Sequence, residues 1–408
     1  MSDTSTTTAE AEGGVASLRP APKKGDGRVS EDESSRLCPK PNKPSEYSKP
    51  QVVSRDGMTM PFWFRDDTAR LYHNLDVRDD DIILSSGVKM GTTWVTKILN
   101  SLLYDFDDNG NTTSAYMDES LPNKMGQTYI DALFPSREVE KHEMMTKGEE
   151  FVKKMKMIKH HFGDFVFDDL LNQQQPRLFS SHLCGTKLLP KKLFDGWKDN
   201  DDDNIREDEV ASTNRGKGRL IIVIRNLKDS LVSLHHFRGI PKDGWYGNEH
   251  GPGSFARAID IDNSPNAFGS SFLWVKRASE AINAIDPKRT LLLYYEDLKL
   301  DFGLQLHRIN DFLGLPKLSD AKAAAIENEC SAEAMKNQCN TYKLIIRRAM
   351  IGDWLNYLDE EKWKEFDRVF DKALGSVEIA KPLLKYQCKD RLKQVMPRPA
   401  VTTTDSIS

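Results

Sequence analysis

The segment from Asp81 to Leu103 reads DIILSSGVKMGTTWVTKILNSLL and constrains the fold more than any other part of the chain. Its apolar start predicts a buried strand, and the spacing of the apolar residues after Trp94 predicts a helix with one face in the core. The loop between them contains Gly87 and Gly91, which permit backbone conformations that let consecutive N–H groups converge on an anion, and Lys89 adds a positive charge. The segment therefore predicts a phosphate-binding loop, with an ordinary strand-turn-helix as the alternative.

The order of residues in this loop separates it from the loop of P-loop ATPases. In that pattern a lysine follows the last glycine and directly precedes a serine or threonine, whereas Lys89 precedes Gly91 here. Thr92 and Thr93 bring two hydroxyl groups to the predicted helix N-terminus, where backbone N–H groups and the helix dipole favour an anion. We therefore expect an anion site of a different kind.

A second strand-to-helix segment, Arg219 to Phe237, reads RLIIVIRNLKDSLVSLHHF. Its β-branched run predicts a strand that is buried on both faces, with Arg225 at the carboxyl end. Asn226 is predicted to cap the following helix, and Asp229 occupies the capping-box position three residues later. Ser233 lies two turns into that helix, on a face that can look back toward Arg225. The two residues form a candidate oxyanion site at the edge of the sheet.

A third segment, Ile346 to Trp354, reads IRRAMIGDW. Arg347 and Arg348 stand beside a Gly-Asp-Trp turn, which we interpret as a mobile cationic flap. The planar guanidinium group suits phosphate oxygens, so this flap is a second candidate anion site. A pair of surface arginines is the alternative.

These segments, in this order, resemble motifs of the cytosolic sulfotransferases that use 3′-phosphoadenosine 5′-phosphosulfate (PAPS), in their plant and algal form. The resemblance covers roughly residues 60–375. The family's PKSGTTW, KTHLP, RNPKDxxVSxxHF, YED and RKGxxGDW elements correspond to VKMGTTW at Val88–Trp94, SSHLC at Ser180–Cys184, RNLKDSLVSLHHF at Arg225–Phe237, YED at Tyr295–Asp297 and RRAMIGDW at Arg347–Trp354. Several motifs in register make the resemblance specific.

The resemblance implies transfer of the sulfuryl group of PAPS to a hydroxyl of a small organic acceptor. His182 is then the general base, Lys89 neutralises charge on the leaving group, and Ser233 belongs to the catalytic set. The residues implied in donor binding are Lys89, Met90, Gly91, Thr92, Thr93, Trp94, Arg225, Ser233, Tyr295, Arg347, Arg348 and Ala349. No metal is expected. The alternatives are a catalytically impaired protein that binds PAPS or its product PAP, and a nucleotide-dependent phosphoryl-transfer enzyme. Against the latter, no clear Mg²⁺ carboxylate follows the strands.

Some positions depart from the family pattern. Ser180 stands where many animal members have a lysine, which leaves Lys89 as the main cation near the transferring group. Ala332 replaces a phenylalanine that stacks on adenine, so base stacking should be weaker. Ala349 replaces a glycine, which is tolerable if the backbone there does not need a positive φ. The stretch after Trp354 lacks the family's dimer motif, so the oligomeric state stays open.

Composition favours an enzyme of the cytoplasm. The 408 residues include 58 Lys and Arg against 62 Asp and Glu, a net charge of −4, so no global basic field favours nucleic acid as a partner. The five cysteines are odd in number and lack paired metal spacing, which suits free thiols in a reducing compartment. No apolar run is long enough to span a bilayer, and none resembles the core of a signal peptide.

The chain is predicted to contain one α/β sulfotransferase domain, residues 55–390, with a central parallel sheet flanked by helices and a P-loop-like strand-loop-helix. Residues 1–50 and 391–408 are predicted as flexible tails, and about 198–218 as a polar acidic insertion. Helices are expected at Lys141–Phe167 and Glu360–Leu374. The predicted buried strands are Asp81–Ser85, Arg177–Ser181, Leu220–Arg225 and Thr290–Tyr295. Ligands of such sheets bind beyond the carboxyl ends of the strands.

Overall fold

The protein is represented by a computed structural model that describes residues 54–55, 58–60, 64–113, 130, 133–162, 165–172, 176–197, 214–237, 254–262, 264, 266, 268–338, 340–390 and 392. The predicted tail at residues 1–50, most of the predicted tail at 391–408 and residues 198–213 of the predicted insertion lie outside the described residues. The limits of these regions stay predictions.

The described chain alternates strands and helices. The strands and α-helices, in chain order, are β1 (Ser54–Arg55), β2 (Met58–Thr59), α1 (Asp66–His73), β3 (Ile82–Ser86), α2 (Thr92–Asn100), α3 (Arg137–Thr146), α4 (Glu149–Phe162), α5 (Phe167–Leu171), β4 (Leu178–Ser181), β5 (Arg219–Ile224), α6 (Leu227–Phe237), α7 (Phe255–Ala258), α8 (Ser271–Asn283), β6 (Thr290–Tyr294), α9 (Tyr295–Leu300), α10 (Phe302–Leu313), α11 (Asp320–Glu329), α12 (Ala332–Gln338), α13 (Asn340–Ile345), α14 (Glu360–Leu374) and α15 (Leu384–Gln387). A π-helical turn, Ser101–Asp105, continues α2, and 3₁₀ turns lie at Lys191–Leu193, Pro287–Arg289, Asp353–Asn356 and Glu378–Leu383.

Four parallel strands form the central sheet, in the order β4-β3-β5-β6. In the register, Ile83 of β3 lies between Phe179 of β4 and Leu220 of β5, and Ile222 of β5 faces Leu292 of β6. This arrangement confirms the predicted central parallel sheet. Because parallel strands all end at the same edge, the loops after β3, β4, β5 and β6 meet there.

The side chains of the sheet alternate between two hydrophobic clusters, one on each face. Ile83 of β3 belongs to one cluster, together with Ile222 of β5, whereas Ile82 and Leu84 belong to the other. Val95, Ile98, Leu99 and Leu102 of the segment after the loop are buried in the second cluster, and Leu103 packs against it. Helices therefore cover both faces, as the apolar strands predict.

Two sequence predictions on the elements need correction. The predicted helix Lys141–Phe167 is two helices, α3 and α4, because the chain is extended at Lys147 and has a glycine at position 148. Strand β6 is not fully buried, because its residues alternate between half-buried and buried, whereas β4 at the other edge of the sheet is buried throughout. The predicted helix Glu360–Leu374 is confirmed as α14. In the part of the chain that the structure describes, no helix could cross a membrane.

A buried ion pair joins the start of β3 to the residue before β4. The side chain of Arg177 donates from Nε to Asp81 Oδ1 at 2.8 Å and from Nη2 to Asp81 Oδ2 at 2.5 Å. Both side chains are nearly inaccessible, with 3% of Arg177 and 0% of Asp81 exposed. The guanidinium also donates to the carbonyl oxygen of Asp76 at 3.0 Å. Without its partner, the Asp81 carboxylate would be an uncompensated buried charge.

Replacing Arg177 by leucine should therefore lower the free energy of unfolding by about 3 to 5 kcal/mol, measured by urea denaturation. The control is Arg70→Leu, which removes a surface pair with Asp66 whose side chains are 65% and 42% exposed. Its loss should stay below about 1 kcal/mol. Equal losses for the two variants would contradict the role of the buried pair.

Candidate functional site at the carboxyl edge of the sheet

The loop after β3 has an unusual backbone at two positions. Lys89 has φ 63° and Gly91 has φ 112°, so both lie in the left-handed region. Gly87 does not, although the sequence suggested it as one of the two special positions. A Cβ atom on Gly91 would lie 2.9 Å from Cδ2 of Tyr295, so glycine is required there both by backbone conformation and by space.

The N-terminus of α2 presents backbone N–H groups at the end of this loop. Gly91 caps the helix, and the first intrahelical bond runs from the N–H of Val95 to the carbonyl oxygen of Gly91 at 3.0 Å. The N–H groups of Thr92, Thr93 and Trp94 come before that bond, at the end of the helix where the helix dipole is positive. They form the part of the loop suited to an anion.

Met90 differs from the prediction for this loop. Its N–H donates to the carbonyl oxygen of Gly87 at 3.1 Å and closes a turn, so it is not one of the donors that the loop offers to an anion. Its side chain is fully buried in the core. Met90 therefore shapes the loop, and the anion-binding N–H groups begin after it.

Lys89 projects its amino group into a crowded, positively charged setting. Nζ donates to the carbonyl oxygen of Ile345 at 3.3 Å and lies 4.5 Å from the centroid of the Phe237 ring. Burial, together with the smaller effects of the positive charges of Arg225 and Arg347, lowers the pKa of Lys89 to about 7. An anionic group bound here would reverse this shift, because it would favour the ammonium form.

Arg225 lies just after β5 and is 8% exposed. Its guanidinium stacks over the ring of Tyr295, with Cζ 4.3 Å from the centroid. Nη1 donates to the carbonyl oxygen of Lys89 at 3.4 Å, and Nη2 donates to that of Met350 at 3.0 Å. This one side chain therefore contacts the loop after β3, the residue after β6 and the segment that carries Arg347.

Arg347 and Arg348 share one carboxylate. Arg347 Nη2 pairs with Asp353 Oδ2, and Arg348 Nη1 donates to Asp353 Oδ1 at 3.0 Å. Arg347 Nη1 also donates to the hydroxyl of Tyr357 at 3.1 Å. Burial opposes the charge of Asp353, but hydrogen bonds from Asn356, Arg347 and Arg348 hold its pKa below the ordinary value. The two arginines therefore share one counter-ion, and Arg348 lies at the surface with 50% of its side chain exposed, against 30% for Arg347. That the segment is a mobile flap stays a prediction.

The buried side-chain atoms without a hydrogen-bond partner among the described residues include donors of three predicted site residues: Oγ1 of Thr92, Nε of Arg225 and Nε of Arg347. A buried donor without a partner costs roughly 1 to 3 kcal/mol, so such atoms are normally satisfied by water or by a ligand. A hydroxyl and two guanidinium groups are the donors that phosphate oxygens accept. The site fits a ligand with more than one anionic group.

Aromatic side chains lie beside the loop. Trp94 is half-buried, its ring centroid lies 5.3 Å from that of Tyr295 in an edge arrangement, and Nε1 donates to the carbonyl oxygen of Cys330 at 2.8 Å. Phe302 stacks on the other side at 6.0 Å. Ala332 begins α12 two residues after Cys330, which places it near Trp94 as a small side chain.

His182 follows β4 at the same edge. Its Nδ1 lies 2.7 Å from the carbonyl oxygen of Ser86, the last residue of β3. Because a carbonyl can only accept, Nδ1 carries the proton, and Nε2 holds the lone pair when the ring is neutral. The ring packs against Phe268 at 5.1 Å between centroids, and Trp274 Nε1 donates to the backbone oxygen of His182 at 2.9 Å. The imidazole is held in one orientation with the tautomer that a base requires.

The remaining predicted residues are placed as follows. Ser233 is half-buried in the second turn of α6, one turn before Phe237. Ser180 is buried, and its hydroxyl lies 3.0 Å from that of Thr96 in α2, so it packs beneath the helix. His235 is buried, and the ring of His236 packs on Tyr357 at 4.5 Å, close to the arginines.

The structure corrects two predictions about single residues. Ala349 has φ 50°, so the condition under which it could replace glycine without strain is not met, and it carries a cost of about 1 to 2 kcal/mol. Asn226 caps α6 as predicted, since its Oδ1 accepts from the N–H of Asp229 at 3.1 Å. The capping box is wrong, however, because the N–H of Asn226 donates to Oε1 of Glu296 at 2.8 Å.

Several residues of the site were missed by sequence reasoning. Asp353 is the counter-ion of the two arginines, and Phe237 covers Lys89. Glu296 supports the start of α6, and burial raises its pKa to about 7. The sequence features that could have identified Glu296 and Asp353 are their positions inside the YED and Gly-Asp-Trp motifs. No group of three His, Cys, Asp or Glu side chains suited to a metal ion occurs among the residues with described positions.

Comparisons with known proteins find similarity to sulfotransferases. The sequence model of the sulfotransferase domain matches residues 210–378. Cytosolic sulfotransferase 1 of Danio rerio is 25% identical over 356 residues, which are 83% of this chain and 97% of that protein. Amine sulfotransferase of Oryctolagus cuniculus is 23% identical over 324 residues, 74% of this chain and 83% of that protein.

Two solved structures share the fold. One is a mouse sulfotransferase complexed with PAP, with a TM-score of 0.53 at 20% identity over 82% of this chain and 98% of that one. The other is retinol dehydratase in complex with androsterone and the inactive cofactor PAP, with a TM-score of 0.51 at 20% identity over 76% of this chain and 85% of that one. The domain match and the curated relatives agree that the chain is similar to sulfotransferases, and the two solved structures share its fold.

Proposed function

We propose that the protein transfers the sulfuryl group of PAPS to a hydroxyl group of a small organic acceptor. The observation that carries the proposal is a set of buried donors at the sheet edge that have no partner within the described part of the chain: Thr92 Oγ1, Arg225 Nε and Arg347 Nε. PAPS has two separated anionic groups, a 5′-phosphosulfate and a 3′-phosphate. One is suited to the helix N-terminus and the other to the arginines.

The donor is held by residues of three segments in this proposal. The N–H groups of Thr92, Thr93 and Trp94 bind the 5′-phosphate, whose negative charge the helix dipole favours. Arg225, Ser233, Arg347 and Arg348 bind the 3′-phosphate, with the backbone of Ala349 beside them. Trp94 and Tyr295 flank the adenine, which has Ala332 near it. PAP in the complexes of the two structural neighbours supports this class of ligand.

Lys89 neutralises charge during transfer. The acceptor oxygen forms a bond to the sulfur of PAPS, and the bond between this sulfur and the bridging oxygen of the 5′-phosphate breaks, which releases PAP. Negative charge develops on the bridging oxygen as that bond breaks. Nζ of Lys89 is surrounded by Phe237, Ile345 and cationic neighbours, a setting in which its interaction with an anion is stronger than in water.

His182 removes the proton from the acceptor hydroxyl. Its Nδ1 donates to Ser86, so Nε2 accepts the proton, and the contacts with Phe268 and Trp274 hold the ring in place. Imidazole has a pKa near neutrality, which suits a general base. After Nε2 has taken the proton, Nδ1–H still donates to the carbonyl oxygen of Ser86, so the imidazolium keeps this hydrogen bond.

The alternatives differ in testable ways. A protein that only binds PAP would need no base, and the ordered tautomer of His182 favours catalysis. A phosphoryl-transfer enzyme would use Mg²⁺, so its activity would be lost when a chelator removes the metal. An amine acceptor is the second candidate, because one curated relative is named an amine sulfotransferase. The absence of a metal requirement and the cytoplasmic location stay predictions, and the oligomeric state stays open.

Substitution of His182 and of Lys89 by alanine should give two different defects. His182→Ala should lower kcat by at least about 100-fold, the usual effect of losing a general base, while the Kd for PAP stays close to the wild-type value. Lys89→Ala should lower kcat and weaken PAP binding, because its charge meets the donor before and during transfer. Steady-state kinetics and calorimetric titration with PAP measure both quantities.

His236→Ala is the control for this pair, since its ring packs on Tyr357 and lies outside the proposed base position. It should retain turnover within about tenfold. Wild-type turnover of His182→Ala, or loss of PAP binding as large as that of Lys89→Ala, would place the base elsewhere.

PAP binding should take up a proton at Lys89. The free enzyme has a Lys89 pKa of about 7, and a bound anion raises it, so at higher pH part of the binding energy is used to protonate the amine. The Kd for PAP should therefore rise with pH, by at most about tenfold per unit between about pH 7.5 and about pH 8.5, where the phosphates are already ionised.

Lys89→Arg is the matched control, because its guanidinium stays charged throughout this range and should give a Kd that does not change with pH. Calorimetry in two buffers with different ionisation enthalpies measures the proton directly. A pH-independent Kd in the wild type would show that Lys89 is already fully protonated in the free enzyme.

A further inference from the structure

The segment 347–354 carries two of the proposed ligands of the 3′-phosphate, but it has no regular secondary structure before its 3₁₀ turn begins at Asp353. A loop of this kind orders its side chains only if other parts of the protein fix its backbone. The contacts that do so come from the start of α6.

Asp229 makes the central contact. Its Oδ2 accepts from the N–H of Gly352 at 2.8 Å, and its Oδ1 accepts from the N–H of Trp354 at 3.0 Å. The side chain is buried, with 1% of the residue exposed. Arg225, one turn earlier, adds the bond from Nη2 to the carbonyl oxygen of Met350 at 3.0 Å. Both carboxylate oxygens of Asp229 therefore accept hydrogen bonds from the backbone of the segment.

Asp229 accepts hydrogen bonds from the backbone N–H groups of the two residues on either side of Asp353. Asp353 in turn pairs with both arginines, through Oδ2 to Arg347 and through Oδ1 to Arg348. A continuous series of contacts thus runs from the buried Asp229, through the backbone at 352 and 354, to Asp353 and then to the guanidinium groups. A shift of the backbone at either position would move the carboxylate that orients them.

We propose that Asp229 is a positioning residue for recognition of the 3′-phosphate: it fixes the backbone around Asp353 and so holds Arg347 and Arg348 in place. This inference rests on the proposed function, because it assumes that these arginines bind that phosphate. Asp229 itself does not touch the donor.

The proposal predicts a selective defect. The quantity to measure is the ratio of the Kd for adenosine 5′-monophosphate to the Kd for PAP, two nucleotides that differ in the 3′-phosphate alone. Asp229→Asn keeps the size of the side chain but replaces one acceptor oxygen with an NH₂ group that faces an N–H donor. This ratio should fall by at least about tenfold, whereas the Kd for adenosine 5′-monophosphate should change by less than about threefold.

The matched control is Asp367→Asn in α14. Asp367 pairs with the buried Lys228 at 2.7 Å, next to Asp229 in sequence. Lys228 lies over the ring of Trp354 at 4.3 Å, whereas the backbone N–H of Trp354 donates to Asp229, so this control separates the ring contact from the backbone contact. This variant should lower the melting temperature and leave the ratio unchanged. Arg347→Ala provides the reference, and its combination with Asp229→Asn should lower the ratio little more than Arg347→Ala alone, because both changes act on one clamp.

Each outcome has a separate meaning. If Arg347→Ala leaves the ratio unchanged, the assignment of the 3′-phosphate in the proposed function is wrong. If Arg347→Ala lowers the ratio but Asp229→Asn does not, or if Asp229→Asn weakens both nucleotides equally, the positioning role is wrong and the proposed function stands.

A second variant covers the case in which Asp229→Asn does not fold. Gly352→Ala disturbs the same contact from the other side, because its Cβ would lie 2.4 Å from Cδ2 of Leu392 at φ 77°. Gly352→Ala should lower the ratio of the two Kd values as Asp229→Asn does, because it should weaken the binding of PAP more than that of adenosine 5′-monophosphate. An unchanged ratio in a folded Gly352→Ala protein would overturn the proposal.

Discussion

The arrangement at the sheet edge depends on one buried cation. Arg225 is enclosed between the ring of Tyr295 and the backbone of the loop after β3, and it also donates to Met350. A buried guanidinium is stable only where acceptors and carboxylates surround it, and Asp229 and Glu296 supply negative charge nearby. The ends of three strands and the segment with Arg347 are therefore assembled around a single side chain.

The same constraint explains the distribution of charge in the site. Lys89, Arg225, Arg347 and Arg348 bring positive charge to one edge, and each additional cation makes the others more costly to bury. The described acidic partners neutralise the arginines, through Asp353 in particular, while Lys89 responds with a lowered pKa. A dianionic or more highly charged ligand relieves this repulsion, so the site is built for an anion rather than for a neutral molecule.

Much of the fold could be predicted because its signals are local. The apolar runs predicted the four parallel strands to within a residue or two. The apolar spacing after Trp94 predicted the residues of α2 that pack in the core, but Thr96, Lys97 and Asn100 on the rest of the helix are buried as well. The order β4-β3-β5-β6 was not predicted, since pairing of strands is set by contacts between distant segments. Gly87 shows a related limit: a glycine permits a positive φ but does not require it, and here Lys89 adopts it instead.

The site shows the same division between local and distant information. The positions of Lys89, His182 and Arg225 follow from motifs at strand ends, whereas the use of Asp229 does not. Its spacing from Asn226 predicted a capping box, but its carboxylate binds the backbone at Gly352 and Trp354, more than a hundred residues away in sequence. Ala349 likewise looked acceptable until its positive φ was seen.

The central claim is that this edge of the sheet transfers a sulfuryl group and does not merely bind the nucleotide. The most direct measurement is a single-turnover reaction with PAPS labelled in its sulfuryl group, with a chelator present to remove divalent metals, against phenol, sterol, flavonoid, lipid-hydroxyl and amine acceptors. The account predicts that the label appears in an acceptor, together with an equal amount of PAP. Tight binding of PAPS with the label retained in the nucleotide for every acceptor would contradict it.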